Sequence, residues 1–339
     1  MTKKKVVSLL EYLGFLLLGI FLLWLSFRKI DLQQVWTDIK TADYNWLILA
    51  LAFALASHVA RAARWNLLIN SMGYKTRLST TFFSVMTGYM ANTGVPRAGE
   101  FMRCGVLSKK ENIPFNVLFG TVISERFFDL IVLGVLMFFV IVFQLEFLSD
   151  FLVRILTPLY ETLSRNRWNI VLLIVVIIAL IVLTYLLVKK FKQRIKSLPF
   201  YSKWHEFVKG MIDGIKTIKR LKQKGLFLVY TFLIWLFYAV MVYIPLLMLK
   251  DTSHLTFIDG VTILTIGSLG IVAPVPGGIG AYHFIVKAIL FELYHINAAA
   301  AGSFAILTHA GQTILNVAVG GIAYMILVTV KQKPVNEKS

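Results

Sequence analysis

The sequence predicts an all-α polytopic integral membrane protein with two inverted-topology repeats. Hydrophobic residues make up 58% of the 339 positions, the mean hydropathy is +0.75, and several apolar runs exceed the ~18 residues needed to span a bilayer. Two further apolar segments break at Val-Pro followed by small residues, at Pro96 and at Pro276. Lipid cannot satisfy the backbone groups freed by such breaks, so the breaks must lie inside protein or against a polar cavity. Paired breaks are typical of transporters built from repeats.

Six uninterrupted stretches are predicted to span the membrane. They are Val6–Phe27, Trp46–Ala63, Phe127–Phe143, Trp168–Val188, Leu226–Leu249 and Gly302–Val330. The first follows a basic N-terminus and so resembles a signal sequence. It is longer than a usual signal core and no small-x-small cleavage site follows it, so we expect an uncleaved helix.

Lysine and arginine in the loops predict the orientation. The N-terminus carries three lysines, residues 61–77 carry four basic residues and no acid, and residues 189–225 carry twelve basic residues against two acids. The positive-inside rule then places both termini in the cytoplasm. The predicted loops alternate between the two sides of the membrane only if segments 78–110 and 260–296 each enter and leave on one side. The first would then be a re-entrant hairpin from the cytoplasm and the second a re-entrant hairpin from outside. If each segment instead crosses the membrane twice, the loops lie on the same sides, so a protein with eight or more spans is an alternative.

The two halves of the single transmembrane domain, 1–339, have the same order of elements. Repeat one covers 6–145 and repeat two covers 168–330, and each has a span, a span, a broken hairpin and a long span. Trp46 and Leu226 begin the second spans and are separated by the same number of residues as Pro96 and Pro276. Three crossings per half is an odd number, which inverts the second half relative to the first.

The basic segment 189–225 has apolar residues at helical spacing with lysines between them. This pattern predicts a cytoplasmic amphipathic helix on the inner leaflet, in contact with anionic headgroups. A cytoplasmic helix packed against the spans fits equally well. Because the net charge of +18 is concentrated here, we expect no nucleic-acid partner.

Charged residues at membrane depth are the candidate functional residues, because charges there usually face a cavity or one another. They are Arg97, Glu100 and Arg103 at the first break, and Glu125, Arg126 and Asp129 within a long apolar stretch. Guanidinium groups bind phosphate through paired hydrogen bonds, so the arginines are candidates for binding an anionic headgroup. The carboxylates would position the arginines or contact a cationic group of the substrate. The alternative is an ion-pair network that only holds the hairpin to its neighbour.

The second break carries no charge and is predicted to form the opposing wall of a cavity. The residues assigned to the hairpin breaks and this wall are Pro96, Gly99, Pro274, Pro276, Gly277, Gly278, Gly280 and His283. The glycines would let backbone N–H groups approach an oxyanion, or let helices pack closely. His58 and His309 are interpreted as hydrogen-bonded interior histidines, with proton carriers as the alternative. The scattered histidines and a single cysteine predict neither metal nor cofactor.

Three motifs carry a family resemblance: PRAGEFMR at Pro96–Arg103, ERFFD at Glu125–Asp129 and PVPGGIG at Pro274–Gly280. In this order and spacing, the chain resembles the flippase-like transmembrane region of lysylphosphatidylglycerol synthases. The resemblance implies movement of aminoacylated phosphatidylglycerol between leaflets in the bifunctional members, whose separate soluble domain makes that lipid. This sequence has no such domain, so the resemblance implies no synthase activity.

The expected function is translocation of an anionic or zwitterionic lipid, aminoacylated or isoprenoid among the options, in a bacterial inner membrane. No nucleotide-binding or hydrolase motif is present, so we expect no enzyme. One alternative is a membrane-embedded lipid-modifying enzyme that uses the same carboxylates. The other is a non-catalytic partner of a lipid-synthesis enzyme that docks through 189–225. A homo-oligomer is also open.

Overall fold

The computed structural model describes residues 3–28, 30–143, 157, 221–270 and 275–330, and these ranges are helical with no strand. In chain order the helices are α1 (Lys3–Phe27), α2 (Leu32–Thr41), α3 (Tyr44–Ser71), α4 (Leu78–Gly94), α5 (Ala98–Glu111), α6 (Phe115–Phe143), α7 (Lys224–Tyr243), α8 (Phe257–Gly270), α9 (Ala281–Ala288) and α10 (Ala298–Thr329). Short 3₁₀ helices occupy Ile244–Met248 and Pro276–Gly278, and a π-helical turn occupies Ile289–Leu293. The all-α class is confirmed.

Four of the described helices are long and apolar enough to cross a membrane. They are α3, α6, α10, and α7 together with the turn that follows it, Lys224–Met248. Residues Leu13–Phe27 of α1, bent by 92° against α2, would make a fifth. The chain is therefore a multi-pass membrane protein. The predicted span Trp168–Val188, residues 189–220 of the basic segment and Pro274 lie outside the described residues.

The predicted boundaries were too short in the first half. The span that was predicted to end at Ala63 continues to Ser71 in α3, and the span that was predicted to begin at Phe127 begins at Phe115 in α6. Helix-forming residues continue through both extensions, and the chain next meets a positive-φ glycine only at Gly73. Residues 61–71 are therefore helix, and the prediction of a loop over 61–77 was wrong there.

The chain forms two compact units, Met1–Met137 with Gly214–Ser339, and Phe138–Asp213. In the second unit the described part of α6 carries Phe138, Phe139 and Phe143, whose rings contact one another in sequence. All contacts of the hairpins and of the candidate site lie in the first unit.

The first broken segment is a helical hairpin made of α4 and α5. Gly88 and Gly99 meet where the two helices cross, and a Cβ on Gly99 would clash with the Gly88 carbonyl. The Asn92 side chain accepts a 2.7 Å hydrogen bond from the Gly99 amide, which satisfies one free donor at the start of α5. The arms have 17 and 14 residues, or about 26 and 21 Å, which is short of the ~30 Å hydrocarbon core. Their lengths favour a re-entrant hairpin.

The two breaks have the same local geometry. In the first, the Ala98 amide donates a 3.2 Å hydrogen bond to the Val95 carbonyl, and in the second the Gly278 amide donates a 3.2 Å bond to Val275. Each β-turn has proline second and a left-handed residue third, with φ 61° and ψ 10° at Arg97 and φ 59° and ψ 9° at Gly277. This turn geometry matches the repeat relationship that the sequence predicts.

Helix α3 runs from the base of one hairpin to the base of the other. Near its end, Ile69 packs in one cluster with Ile113, which follows the first hairpin. Near its start, Trp46 packs against the cluster that holds Leu255 and Ile296, which lie before α8 and after α9, the arms of the second hairpin. Because α3 has 28 residues, or about 42 Å, the two bases lie at opposite ends of the first unit. The chain thus enters the two hairpins from opposite sides.

The tips of the two hairpins contact each other. A Cβ on Gly277 would lie 3.3 Å from the Thr93 carbonyl oxygen, so the backbones of the two tips are in contact. His309 of α10 fixes this region, because its Nε2 lies 2.9 Å from the Gly277 carbonyl oxygen. Gly280 approaches Gly19 of α1 so closely that any side chain there would clash. The second hairpin is thereby held between α1, α4 and α10.

Candidate functional site

Two arginines of α3 form the centre of a buried ionic cluster. Arg61 pairs through Nη1 with Glu125, and the same atom lies 3.2 Å from Asp129 Oδ2. Arg64 Nη2 lies 2.7 Å from Asp129 Oδ1 and 3.4 Å from Glu125 Oε1. Both guanidinium groups are buried. They cross-link α3 to α6 through charge, in an environment where an unpaired charge would be costly.

The hairpin supplies the third buried arginine. Arg103 of α5 lies 3.1 Å from Glu125 Oε2, and its guanidinium carbon stands 4.7 Å from the centroid of the Trp65 ring. The Glu125 side chain has 0% exposure and is surrounded by three guanidinium groups. Glu125 therefore serves as the shared counter-ion of the cluster, which leaves it poorly suited to bind substrate directly.

One ion pair of the cluster is accessible. Arg126 Nη2 lies 3.2 Å from Glu100 Oε1, and 45% of the Arg126 side chain and 25% of the Glu100 side chain are exposed. Arg126 also lies 3.7 Å from Asp129, which connects this pair to the buried arginines. The flanking side chains Phe101 and Leu130 are exposed and apolar. A polar opening thus lies between apolar surfaces of α5 and α6.

The cluster carries an excess of positive charge. Four arginines and three carboxylates take part in its ion pairs, which leaves one net positive charge. Arg126 lies eleven residues into α6, about 16 Å along the axis of this apolar helix. An excess positive charge within an apolar helix favours an anion as its partner.

Hydroxyl and aromatic groups of α7 border the cluster on another side. Arg61 Nη2 donates a 2.8 Å hydrogen bond to the Tyr238 hydroxyl, and Arg64 Nη1 donates a 3.3 Å bond to Thr231. The Tyr238 hydroxyl lies 3.3 Å from that of Tyr89 on α4. The polar region therefore continues from the arginines into uncharged hydrogen-bonding groups.

The structure brings together five of the six predicted headgroup residues. Glu100, Arg103, Glu125, Arg126 and Asp129 belong to one network. Arg97 is placed at the hairpin turn, where its left-handed backbone is unusual for a residue with a side chain.

The second break contributes no charge to this network. Pro276, Gly277, Gly278 and Gly280 form its turns, and His283 stands beside His309 with the ring centroids 4.7 Å apart. The contact between Gly277 and Thr93 places this break against the tip of the first hairpin.

Sequence reasoning missed Arg61, Arg64 and Tyr238. The two arginines were counted as loop charges for the topology, although nothing between Ala63 and Gly73 would end the helix. Their spacing of three residues puts them on one helical face, and this spacing could have identified them as a pair. The sequence offers no such signal for Tyr238, because tyrosine is common in membrane helices.

These features define a polytopic membrane protein with paired helical hairpins and an ionic cluster at membrane depth. The chain belongs to the family described as the lysylphosphatidylglycerol synthase TM region, which it matches over residues 12–320.

The relatives found by comparison are UPF0104 membrane proteins. One from Methanocaldococcus jannaschii is 31% identical over 103 residues, which cover 30% of this chain and 31% of the relative. One from Methanothermobacter thermautotrophicus is 24% identical over 279 residues, which cover 77% of this chain and 78% of the relative. The first alignment thus spans about a third of that relative's length. No solved structure matches the chain.

Proposed function

We propose that this protein moves an anionic or zwitterionic lipid between the leaflets of the cell membrane. The observation that carries the proposal is the half-exposed Arg126–Glu100 pair, which continues into buried guanidinium groups at membrane depth. A headgroup phosphate can replace Glu100 as the partner of Arg126 and form paired, charge-assisted hydrogen bonds. The exchange conserves the number of ion pairs, so it lowers the cost of bringing a charged headgroup inside the membrane.

The surroundings of the pair suit a lipid better than a soluble anion. Phe101 and Leu130 lie beside Glu100 and Arg126 along their helices and are 57% and 58% exposed. Acyl chains can stay against these apolar side chains while the headgroup reaches the arginine. A site for a free anion would need access from water.

The opposed hairpins supply a means of changing access. Their tips meet at Thr93 and Gly277, and their bases lie at opposite ends of the first unit. Movement of one hairpin against the other would open the cluster toward one side while the tips close the other, as in transporters built from inverted repeats. The carboxylates of the cluster alone do not favour an enzyme here, because Glu125 and Asp129 are both paired with arginine.

The test is reconstitution into liposomes with fluorescent lipids and a leaflet-accessibility assay. We expect the wild-type protein to move an anionic phospholipid faster than protein-free liposomes do. Arg126→Gln should slow this movement at least tenfold, and Arg77→Gln, on an exposed residue just before α4, should leave it within twofold. The proposal fails if no tested lipid moves above the protein-free rate, or if both substitutions have the same effect.

A further inference from the structure

His58 is a buried histidine whose ring has no hydrogen-bond partner. It lies on α3 one turn from Arg61, it is 4% exposed, and neither Nδ1 nor Nε2 is bonded to any group among the described residues. A buried imidazole without a partner forfeits the hydrogen bonds that it would make to water, and native proteins rarely leave such groups unpaired. Both ring nitrogens are therefore available to a ligand.

His58 belongs to a continuous set of uncharged polar groups. Its ring packs against that of Tyr89, with the centroids 4.2 Å apart. The Tyr89 hydroxyl lies 3.3 Å from the Tyr238 hydroxyl, which in turn accepts a hydrogen bond from Arg61. Trp235 packs its ring edge-on with Tyr238, and its buried indole Nε1 also has no hydrogen-bond partner among the described residues. We call His58, Tyr89, Trp235 and Tyr238 the neutral set.

The charge in contact with the neutral set is positive. Arg61 lies one turn from His58 on α3, donates a hydrogen bond to the Tyr238 hydroxyl, and has its guanidinium carbon 5.8 Å from the centroid of the Tyr238 ring. Among the described residues no carboxylate is bonded to a member of the neutral set, because Glu125 and Asp129 pair with the arginines instead. An ammonium group here would meet the Arg61 guanidinium without a free counter-charge, so the neutral set disfavours it.

We propose that the substrate is a phospholipid whose phosphate carries an uncharged, hydroxyl-bearing headgroup of the glycerol or sugar type. The phosphate pairs with the arginines and the hydroxyls bond to the neutral set, with His58 as a specificity-determining residue. Hydroxyl groups both donate and accept, which matches a histidine ring that offers one donor and one acceptor. This inference rests on the proposed lipid translocation and narrows its substrate class.

The test compares four acyl-labelled lipids in the liposome assay: phosphatidylglycerol, phosphatidylinositol, phosphatidic acid and phosphatidylethanolamine. We expect the first two to move about tenfold faster than the others, the ratio that one or two hydrogen bonds provide. His58→Phe keeps the packing on Tyr89 and should reduce that ratio about tenfold. His58→Gln restores a donor and an acceptor and should recover most of it. His254→Phe, on an exposed loop histidine, should leave the ratio unchanged.

A second measurement separates this inference from the proposed function. Native mass spectrometry of the purified full chain, after exposure to an equal mixture of the four lipids, should show retention of the hydroxyl-bearing pair in the wild type and its loss in His58→Phe. If lipids move without headgroup preference, the inference is wrong and the proposed translocation stands.

If His58→Phe slows all four lipids equally, His58 has a structural role and the inference is wrong. If transport depends on pH without headgroup preference, His58 transfers protons and the inference is also wrong. If no lipid moves, the proposed function is wrong, and retention of all four lipids alike would then show that the inference is wrong too.

Discussion

Arg64 of α3 lies 2.7 Å from Asp129 of α6, and this ion pair joins two long membrane helices deep in the apolar layer. Arg61 makes a parallel connection to Glu125 and Asp129. Membrane helices usually associate through small residues that let backbones approach closely. In this pair of helices, long charged side chains bridge the gap, so the position of α6 depends on the balance of charge between them.

Removing the shared counter-ion should destabilise the fold. Glu125→Gln removes the carboxylate that Arg103 contacts and leaves Arg61 and Arg64 with Asp129 as their described carboxylate partner. Breaking a buried ion pair costs about 3–5 kcal/mol. Thermal unfolding in detergent should show a clear fall in the midpoint temperature. Glu292→Gln, on an exposed carboxylate of the second hairpin, is the control and should change stability by less than about 0.5 kcal/mol. Equal midpoints for both variants would contradict a structural role for Glu125.

The sequence predicted the membrane class and the broken hairpins because both depend on local signals. A long apolar run cannot be soluble, and Val-Pro before small residues must interrupt a helix. The charged residues of the first hairpin and of α6 were also identified, since charges at membrane depth are rare. Their partners were not, because pairing between Arg61 and Glu125 depends on how α3 packs against α6.

Two further features needed coordinates. Arg61 and Arg64 were assigned to a loop because loop ends in membrane proteins are rich in arginine, the same signal that predicts topology. His58 was interpreted as a hydrogen-bonded interior histidine, which was wrong for the part of the chain that the structure describes, where its ring has no hydrogen-bond partner. The assignment of repeats to 6–145 and 168–330 stays a prediction.

Exchanging the two residues of the accessible Arg126–Glu100 ion pair distinguishes a role in lipid binding from a role in holding α5 to α6. The double variant Arg126→Glu with Glu100→Arg keeps an attractive pair between α5 and α6, but it turns the 3.7 Å contact with Asp129 into a repulsion. We therefore expect it to fold with a loss of about 1 kcal/mol, the size of a partly exposed charge interaction. Lipid movement should stay low, because the positive charge is now on the hairpin, away from Asp129. The double variant is compared with both single variants in the liposome assay. Recovery of the wild-type rate would mean that the pair only holds the two helices together.

Arg97 occupies a turn position that the second hairpin gives to glycine. A left-handed backbone costs a residue with a side chain about 1–2 kcal/mol relative to glycine, and strain of this kind is often retained for function. Arg97→Gly, which copies Gly277, should therefore keep or raise the unfolding temperature while it lowers the rate of lipid movement several-fold. A loss of stability with an unchanged rate would show that the arginine serves the fold.

The crossing of α4 and α5 should tolerate no side chain at Gly99. A Cβ there would clash with the Gly88 carbonyl and would stand 2.6 Å from the Asn92 amide nitrogen, so Gly99→Ala must separate the two arms or displace the cap. We expect a loss of at least about 2 kcal/mol, in the range of overpacked interiors. Gly105→Ala is the matched control, because it lies on the same helix with no atom within 4 Å. It should be neutral or stabilising by up to about 1 kcal/mol. Similar unfolding temperatures for the two variants would contradict the close crossing.

The hairpins should each present both of their ends to one side of the membrane. The arms of the first hairpin, of 17 and 14 residues, are at or below the usual length of a membrane span, and its tip reverses in a β-turn at Val95–Ala98. In a Cys104→Ala background, single cysteines at Arg77 and Lys109 should react with an impermeant thiol reagent only from the cytoplasm. Cysteines at Ser253 and Glu292, which flank the second hairpin, should react only from outside. Labelling is compared in intact cells and inverted membrane vesicles. Opposite labelling of the two ends of either hairpin would mean that the segment crosses the membrane, and reversal of all four would overturn the orientation inferred from lysine and arginine.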